Sequence, residues 1–215
     1  MNTVVTPKLH AAPPASSFRL LTDAERKASL HKALAAWNDK EDVWVYGYGS
    51  LVWRPEFHYT ERRLALLHGY HRALCLWSRV NRGTPEQPGL VFGLDVGGSC
   101  RGMAFRIPAQ DVPTTLEALW RREMPSGAYI PRWVSCRSEQ GSVQALAFIM
   151  NRNTEAYVRG LPTDRLIQIV KNAHGVYGPC IEYVVETADA LQRSNIRDRR
   201  LQALVKQLRL SPDKP

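Results

Sequence analysis

Between residues 43 and 149 the chain is cut into seven short runs of β-forming residues, and this pattern restricts its fold more than any other feature. The runs cover 43–48, 64–68, 72–79, 90–95, 101–107, 132–137 and 143–149. Each is bounded by Gly, Pro or charged residues of the kind that end strands. So many short strands leave many edges, and closing the sheet on itself removes them. The expectation is a closed or nearly closed sheet.

Helical periodicity surrounds and interrupts these runs. Thr22 and Glu25 have the spacing of a capping box, with Ala33, Leu34 and Trp37 behind them. A second helix is expected inside the β-rich region, where Asp111 or Thr114 is a candidate cap and Pro113 suits a first turn. Its apolar face carries Leu116, Leu119 and Trp120, and the next position in that i, i+3, i+4, i+7 series is Glu123. A carboxylate therefore stands where a Leu is expected. Further helices are read from Leu166, Ile169 and Val170 behind Thr163, from Ile181, Val184, Val185 and Ala188 behind Gly178-Pro179, and from Leu201, Leu204, Val205 and Leu208. The fold class is α+β, a small barrel with helices packed around it.

The size of the chain, 215 residues, suits one domain. Residues 1–20, with Pro7, Pro13, Pro14, Ser16 and Ser17, read as a flexible N-terminal arm, and 21–215 as a single domain. Hydrophobic residues make up 44%, enough for a real core.

A net charge of +9 fits nucleic acid, a membrane surface or an acidic small substrate. The basic stretch Arg193, Arg197, Arg199, Arg200 is interrupted by Asp198 and carries no interleaved aromatic, so it reads as a solvated helix face and no nucleic-acid partner is expected. Cys75, Cys100, Cys136 and Cys180 are widely spaced and form no CxxC, which predicts buried reduced thiols. The N-terminus has no apolar run of a signal peptide, and no segment is long enough to span a bilayer. The expected location is the cytoplasm, without a membrane partner. No feature sets an oligomeric state. His68 and His71 lack a third ligand at recognisable spacing, so no metal is expected.

Two features carry chemistry. Gly47-Tyr48-Gly49-Ser50-Leu51 directly follows the first strand. Its glycines let the backbone turn sharply and approach a ligand, and successive N–H groups there suit a carboxylate or phosphate. Position 52 is Val, which rules out a dinucleotide fingerprint, and no Gly-Lys-Ser/Thr ending of a P-loop is present. A nucleophile elbow is excluded as well, since Tyr48 and Val52 occupy its glycine positions. The segment is either an anion-binding loop or a plain strand-to-loop connection. The second feature is Glu123. It is either ion-paired at a helix end or a proton-transfer group whose apolar surroundings hinder its ionisation. Arg121 and Arg122 are adjacent in sequence and should point elsewhere on a helix. The segment Arg82-Gly83-Thr84-Pro85 reads as a turn-rich loop able to overhang a site.

Five segments in this order resemble the ChaC branch of the γ-glutamylcyclotransferases: 46–55 (YGYGSLVWRP), 69–72 (GYHR), 82–89 (RGTPEQPG), 120–124 (WRREM) and 178–183 (GPCIEY). The resemblance runs from about 43 to 191. It implies a γ-glutamylcyclotransferase-like mixed β-barrel, no cofactor, and cleavage of glutathione with release of 5-oxoproline. It also implies that Gly47, Tyr48, Gly49, Ser50, Leu51 and Val52 form the loop that holds the γ-glutamyl group. Glu123 would be the general acid/base, and Tyr183 would line the pocket. Cys180-Ile181 departs from the polar residues of many relatives, which bears on the far end of the substrate. The alternatives are a cyclotransferase for other γ-glutamyl amino acids or γ-glutamylamines, a basic polyanion-binding module without catalysis, and a catalytically silent scaffold.

Overall fold

The computed structural model describes Ala12, Pro14 and residues 19–210. The arm expected over 1–20 lies largely outside the described residues. Five strands form the barrel: β1 Val43–Gly47, β2 Glu61–Ser78, β3 Gly89–Ile107, β4 Tyr129–Ser138 and β5 Gly141–Met150. Their order around the barrel is β1-β3-β2-β4-β5. Parallel pairing of Trp44 with Ala145 and Val45 with Leu146 closes it, and the other neighbouring pairs are antiparallel.

The seven expected strands are thus five, because two pairs of runs are continuous. The runs 64–68 and 72–79 belong to β2, and 90–95 and 101–107 belong to β3. Gly69 on β2 and Gly97-Gly98 on β3 have positive φ and face each other where the register shifts, between His68↔Ser99 and Tyr70↔Val96. Glycines that read as turns form a bulge instead. The bulge bends a long ribbon so that it can wrap the barrel without ending the ladder.

Helix α1, Asp23–Ala33, starts at the expected capping box: the Glu25 N–H donates to Thr22 Oγ1, and the Thr22 N–H donates to Glu25. Helix α2, Val112–Glu123, buries Val112, Leu116, Leu119 and Trp120 against Val43, Val45, Leu146 and Phe148 of the barrel. Trp120 meets Phe148 edge-on, with ring centroids 5.3 Å apart. Each such side chain contributes roughly 1.5–3 kcal/mol by leaving water, which fixes the rotation of α2 about its own axis. The inner face that holds Trp120 therefore also carries Glu123.

Helices α3 (Thr163–Asn172), α4 (Cys180–Arg193) and α5 (Arg199–Leu210) cover another flank of the barrel. A short hairpin, β6 His174–Gly175 with β7 Gly178–Pro179, joins α3 to α4. All four cysteines are buried and free. Arg193, Arg197, Arg199 and Arg200 face solvent. The interrupting Asp198 turns inward and pairs with Arg72, Nη1 to Oδ2, at 2.5 Å. Among the described residues no helix is long and apolar enough to cross a membrane.

Candidate active site

A cavity of about 540 Å³ opens where the end of β1, the end of β2 and the C-terminus of α2 converge. Helix α2 stops at Glu123 because Met124 leaves helical geometry, at φ −115° and ψ 41°, and Pro125 cannot continue the ladder. The Glu123 side chain is 17% exposed, and its Oε1 is sealed from water with no hydrogen-bond partner. Burial pushes its carboxyl above the usual value of 4.5, and the charge of Arg122 pulls part of the way back. The structure corrects one expectation here. Arg122 does not point away: its Nε lies 3.1 Å from Glu123 Oε1. At the last helical residue the carboxylate can fold back towards its neighbour, so spacing rules for helix interiors no longer separate the two.

The rest of the Arg122 guanidinium organises the rim. Nη1 donates to Arg54 O at 2.7 Å and to Glu56 Oε2 at 3.0 Å, and Nη2 donates to Ser50 Oγ at 3.0 Å. One side chain thereby ties the glycine loop to the end of α2.

The loop divides into a lining half and a supporting half. Tyr48, Gly49, Ser50 and Leu51 line the cavity. Gly47 and Val52 do not, and they hold the loop from behind. A Cβ on Gly47 would come within 2.9 Å of Leu51 Cβ, and Val52 is buried in the barrel core. The N–H groups of Val52, Trp53 and Arg54 donate within the turn, to Gly49 O, Ser50 O and Ser50 O. None of the turn's backbone bonds engages the N–H groups of Gly49, Ser50 or Leu51.

Three phenols surround the carboxyl. Tyr48 donates to Phe148 O and Tyr129 donates to Phe92 O, both at 2.9 Å. Tyr183 instead accepts, from the Phe92 N–H at 3.1 Å, which leaves its own proton free for a ligand. Its Oη would sit 3.4 Å from a Cβ on Gly49, so hydroxyl and loop share one corner of the cavity. Burial raises all three phenols, and the Glu123 charge raises them further. They stay protonated and neutral at ordinary pH.

The expected site residues Tyr48, Gly49, Ser50, Leu51, Glu123 and Tyr183 thus meet in one cavity, with Gly47 and Val52 behind it. Arg82 lines the rim, where its Nη1 donates to Pro179 O at 3.1 Å. Sequence reasoning missed Tyr129, Phe92 and Arg79. The first two sit on strands, where period-2 alternation marks a face and not which pocket it opens on. Arg79 follows an apolar run at the end of β2, where a buried cation has no local signature. Among the described residues, no three His, Cys, Asp or Glu side chains are grouped to hold a metal ion.

Residues 43–211 match the family model of ChaC-like proteins. The chain belongs to the ChaC-like family. Among ChaC-like relatives, the glutathione-specific γ-glutamylcyclotransferase of Escherichia coli K12 is 36% identical over 188 residues, 86% of this chain and 81% of its own. The human glutathione-specific γ-glutamylcyclotransferase 1 is 30% identical over 174 residues, 78% of each chain. The crystal structure of a selenomethionine-labelled γ-glutamyl cyclotransferase specific to glutathione from yeast superposes with a TM-score of 0.72, covering 79% of this chain and 96% of that one. At 23% identity that likeness establishes the fold, a γ-glutamylcyclotransferase-type mixed barrel with surrounding helices.

Proposed function

We propose that this ChaC-like protein is a γ-glutamylcyclotransferase that cleaves glutathione into 5-oxoproline and Cys-Gly. The observation that carries the reading is the Glu123 carboxyl, buried, raised in pKa and opening on a cavity beside the Gly49–Leu51 backbone. A carboxyl shifted upward in this way is better suited to both accepting and returning a proton than an ordinary exposed one. The names of the Escherichia coli and human relatives support glutathione as the substrate. The cavity volume falls within the roughly 300–1,000 Å³ of small-molecule pockets.

The chemistry follows from the substrate's own connectivity. The α-amine of a γ-glutamyl peptide can reach its own γ-carbonyl, and the new C–N bond closes a five-membered lactam. Glu123 accepts the proton that the amine loses on attack. The tetrahedral oxyanion then collapses, the bond from the γ-carbon to the cysteine nitrogen breaks, and Glu123 returns its proton to that nitrogen. No water is consumed and no external nucleophile is used. Holding the substrate folded supplies proximity, which is worth up to roughly 7–11 kcal/mol of the barrier. In this reading the N–H groups of Gly49, Ser50 and Leu51 receive the α-carboxylate or the oxyanion, and the Tyr183 hydroxyl donates beside them.

Proton transfer and positioning need neither metal nor organic cofactor. We place the reaction in the cytoplasm, where four free buried thiols and a thiol substrate both belong. We take 21–215 as one domain, whose segments from Tyr48 to Tyr183 line the cavity together with Leu20 from the end of the arm. No nucleic acid takes part.

The test is incubation of the purified protein with reduced glutathione, followed by mass spectrometry. Equimolar 5-oxoproline and Cys-Gly are expected. Release of glutamate in place of 5-oxoproline would replace cyclisation by hydrolysis, and unchanged glutathione would reject the assignment.

A further inference from the structure

Three buried side-chain atoms of the described residues have no hydrogen-bond partner: Oε1 of Glu123 and both Nη atoms of Arg79. All belong to residues that line the same cavity. Proton transfer accounts for Glu123. It does not account for Arg79.

Arg79 directly follows the last residue of β2 and is only 4% exposed. A guanidinium is permanently charged and carries five N–H donors in a planar fork. Burying it without an anion is costly, and structures normally supply a partner. The other arginines of this cavity are supplied. Arg54 pairs with Glu56, Arg121 with Glu117, Arg122 holds Ser50 and Glu56, and Arg82 donates to Pro179 O. Among the described residues no carboxylate pairs with Arg79, which leaves its fork open to an anion brought by a ligand.

We infer that Arg79 receives the C-terminal carboxylate of the γ-glutamyl peptide, so that the site recognises the leaving dipeptide as well as the γ-glutamyl head. The inference rests on the γ-glutamyl reading above. Its fork matches a carboxylate by two parallel N–H···O bonds, and the buried Leu76 and half-buried Val91 of the same lining reduce the water around the pair. Glutathione brings two carboxylates, and geometry selects one. The α-carboxylate shares a carbon with the attacking amine, so it has to lie beside Glu123 and the Gly49–Leu51 backbone. Arg79 makes no ion pair with Glu123, whose charged partner is Arg122. It sits on a different wall, formed by the end of β2. The glycine carboxylate is separated from the reacting carbonyl by the whole Cys-Gly backbone, and it is the anion that can span from one wall to the other.

The experiment crosses two proteins with two substrates. Wild type and Arg79→Met are assayed on glutathione and on its glycine carboxamide, which removes only the terminal charge. Wild type should lose about 10- to 100-fold in kcat/KM on the amide, the worth of a charged hydrogen-bonded contact. The loss should fall on KM, because the contact is distant from the bond changes. Arg79→Met should be equally weak on both substrates, and Arg79→Lys should restore part of the preference for the acid. Without substrate, Arg79→Met should melt no lower than wild type, since an uncompensated charge has been removed. An acid-to-amide preference unchanged in Arg79→Met, or absent from wild type, would overturn the assignment. Binding to Glu123→Gln and Glu123→Gln/Arg79→Met, measured by calorimetry, separates this inference from the reaction. Acid-selective binding that disappears with Arg79 keeps the subsite even if no 5-oxoproline forms. Turnover without any acid preference keeps the reaction and rejects the subsite. If Arg79→Met fails to fold, wild type and Arg79→Lys on the two substrates decide.

Discussion

Arg122 and Glu123 lie side by side at the end of α2, with Nε 3.1 Å from Oε1, yet no hydrogen bond joins them. The guanidinium is turned towards Ser50, Arg54 and Glu56, and it offers Glu123 its charge without its best geometry. The carboxyl is therefore raised by its burial and only partly lowered by the neighbouring charge. A well-formed ion pair would have pushed its pKa down and disabled it as a base that must also act as an acid.

Replacing Glu123 by Gln preserves size and removes the transferable proton. Turnover of glutathione should fall by about 10²–10⁴. The melting temperature should hold or rise slightly, because a buried carboxylate becomes neutral. Steady-state kinetics and a thermal melt on one preparation check both. A variant that is destabilised yet fast per folded molecule would make Glu123 a structural residue.

The pH dependence follows from the raised carboxyl. A base must be ionised, so activity should climb as pH rises through the pKa of Glu123 in the folded enzyme, above 4.5. Stability runs the other way. A raised folded pKa means that this group favours the native state fully below about 4.5, and the contribution is lost as pH rises through the folded value. Arg122→Met removes the opposing charge and should move the acidic limb of the kcat/KM profile to higher pH. Loosening of the glycine loop by the same change would raise KM without moving that limb, so the profile tells the two effects apart.

Gly47 and Gly49 should fail differently. A Cβ on Gly47 would press to 2.9 Å from Leu51 Cβ, so Gly47→Ala should destabilise the fold by about 1–3 kcal/mol. A Cβ on Gly49 would meet Tyr183 Oη at 3.4 Å, an ordinary contact, and Gly49 has φ −124°. Gly49→Val should therefore fold. Its added methyl groups would stand between the loop and the substrate, with a loss of roughly 100-fold in kcat/KM from misplacement. Melting temperature and kinetics of the two variants test the contrast. A fully active Gly49→Val would reduce the segment to a turn.

Activity should survive dialysis against EDTA, because each proposed step is a proton transfer or a bond change within the substrate. Loss of activity that added zinc restores would contradict that mechanism.

Glutathione should be turned over far more efficiently than γ-glutamyl-alanine, which lacks the glycine carboxylate and most of the leaving dipeptide. Parallel assays at low substrate measure the ratio. Equal efficiencies would assign the protein to broader γ-glutamyl substrates.

Much of this was legible in the residues alone. Helical period placed Glu123 on the apolar face of α2, capping spacing marked the start of α1, and β-forming runs marked the barrel. All of these are local regularities, set by the i, i+3, i+4 and i, i+2 geometry of the backbone, and they survive in one dimension. Other features depended on contacts between distant residues. Gly69, Gly97 and Gly98 read as turns until the two strands were seen to bulge at the same level. Gly47 and Val52 could not be separated from Gly49 and Ser50 until the core showed which of them it holds. Arg122 read as a bystander until the end of α2 brought it against Glu123. Tyr129 and Arg79 carried no motif, and their place in the cavity comes from the ends of β4 and β2 converging there. A side chain's type and period are written locally. Whether its charge or hydroxyl has a partner depends on every element packed around it, and only the tertiary structure brings those together.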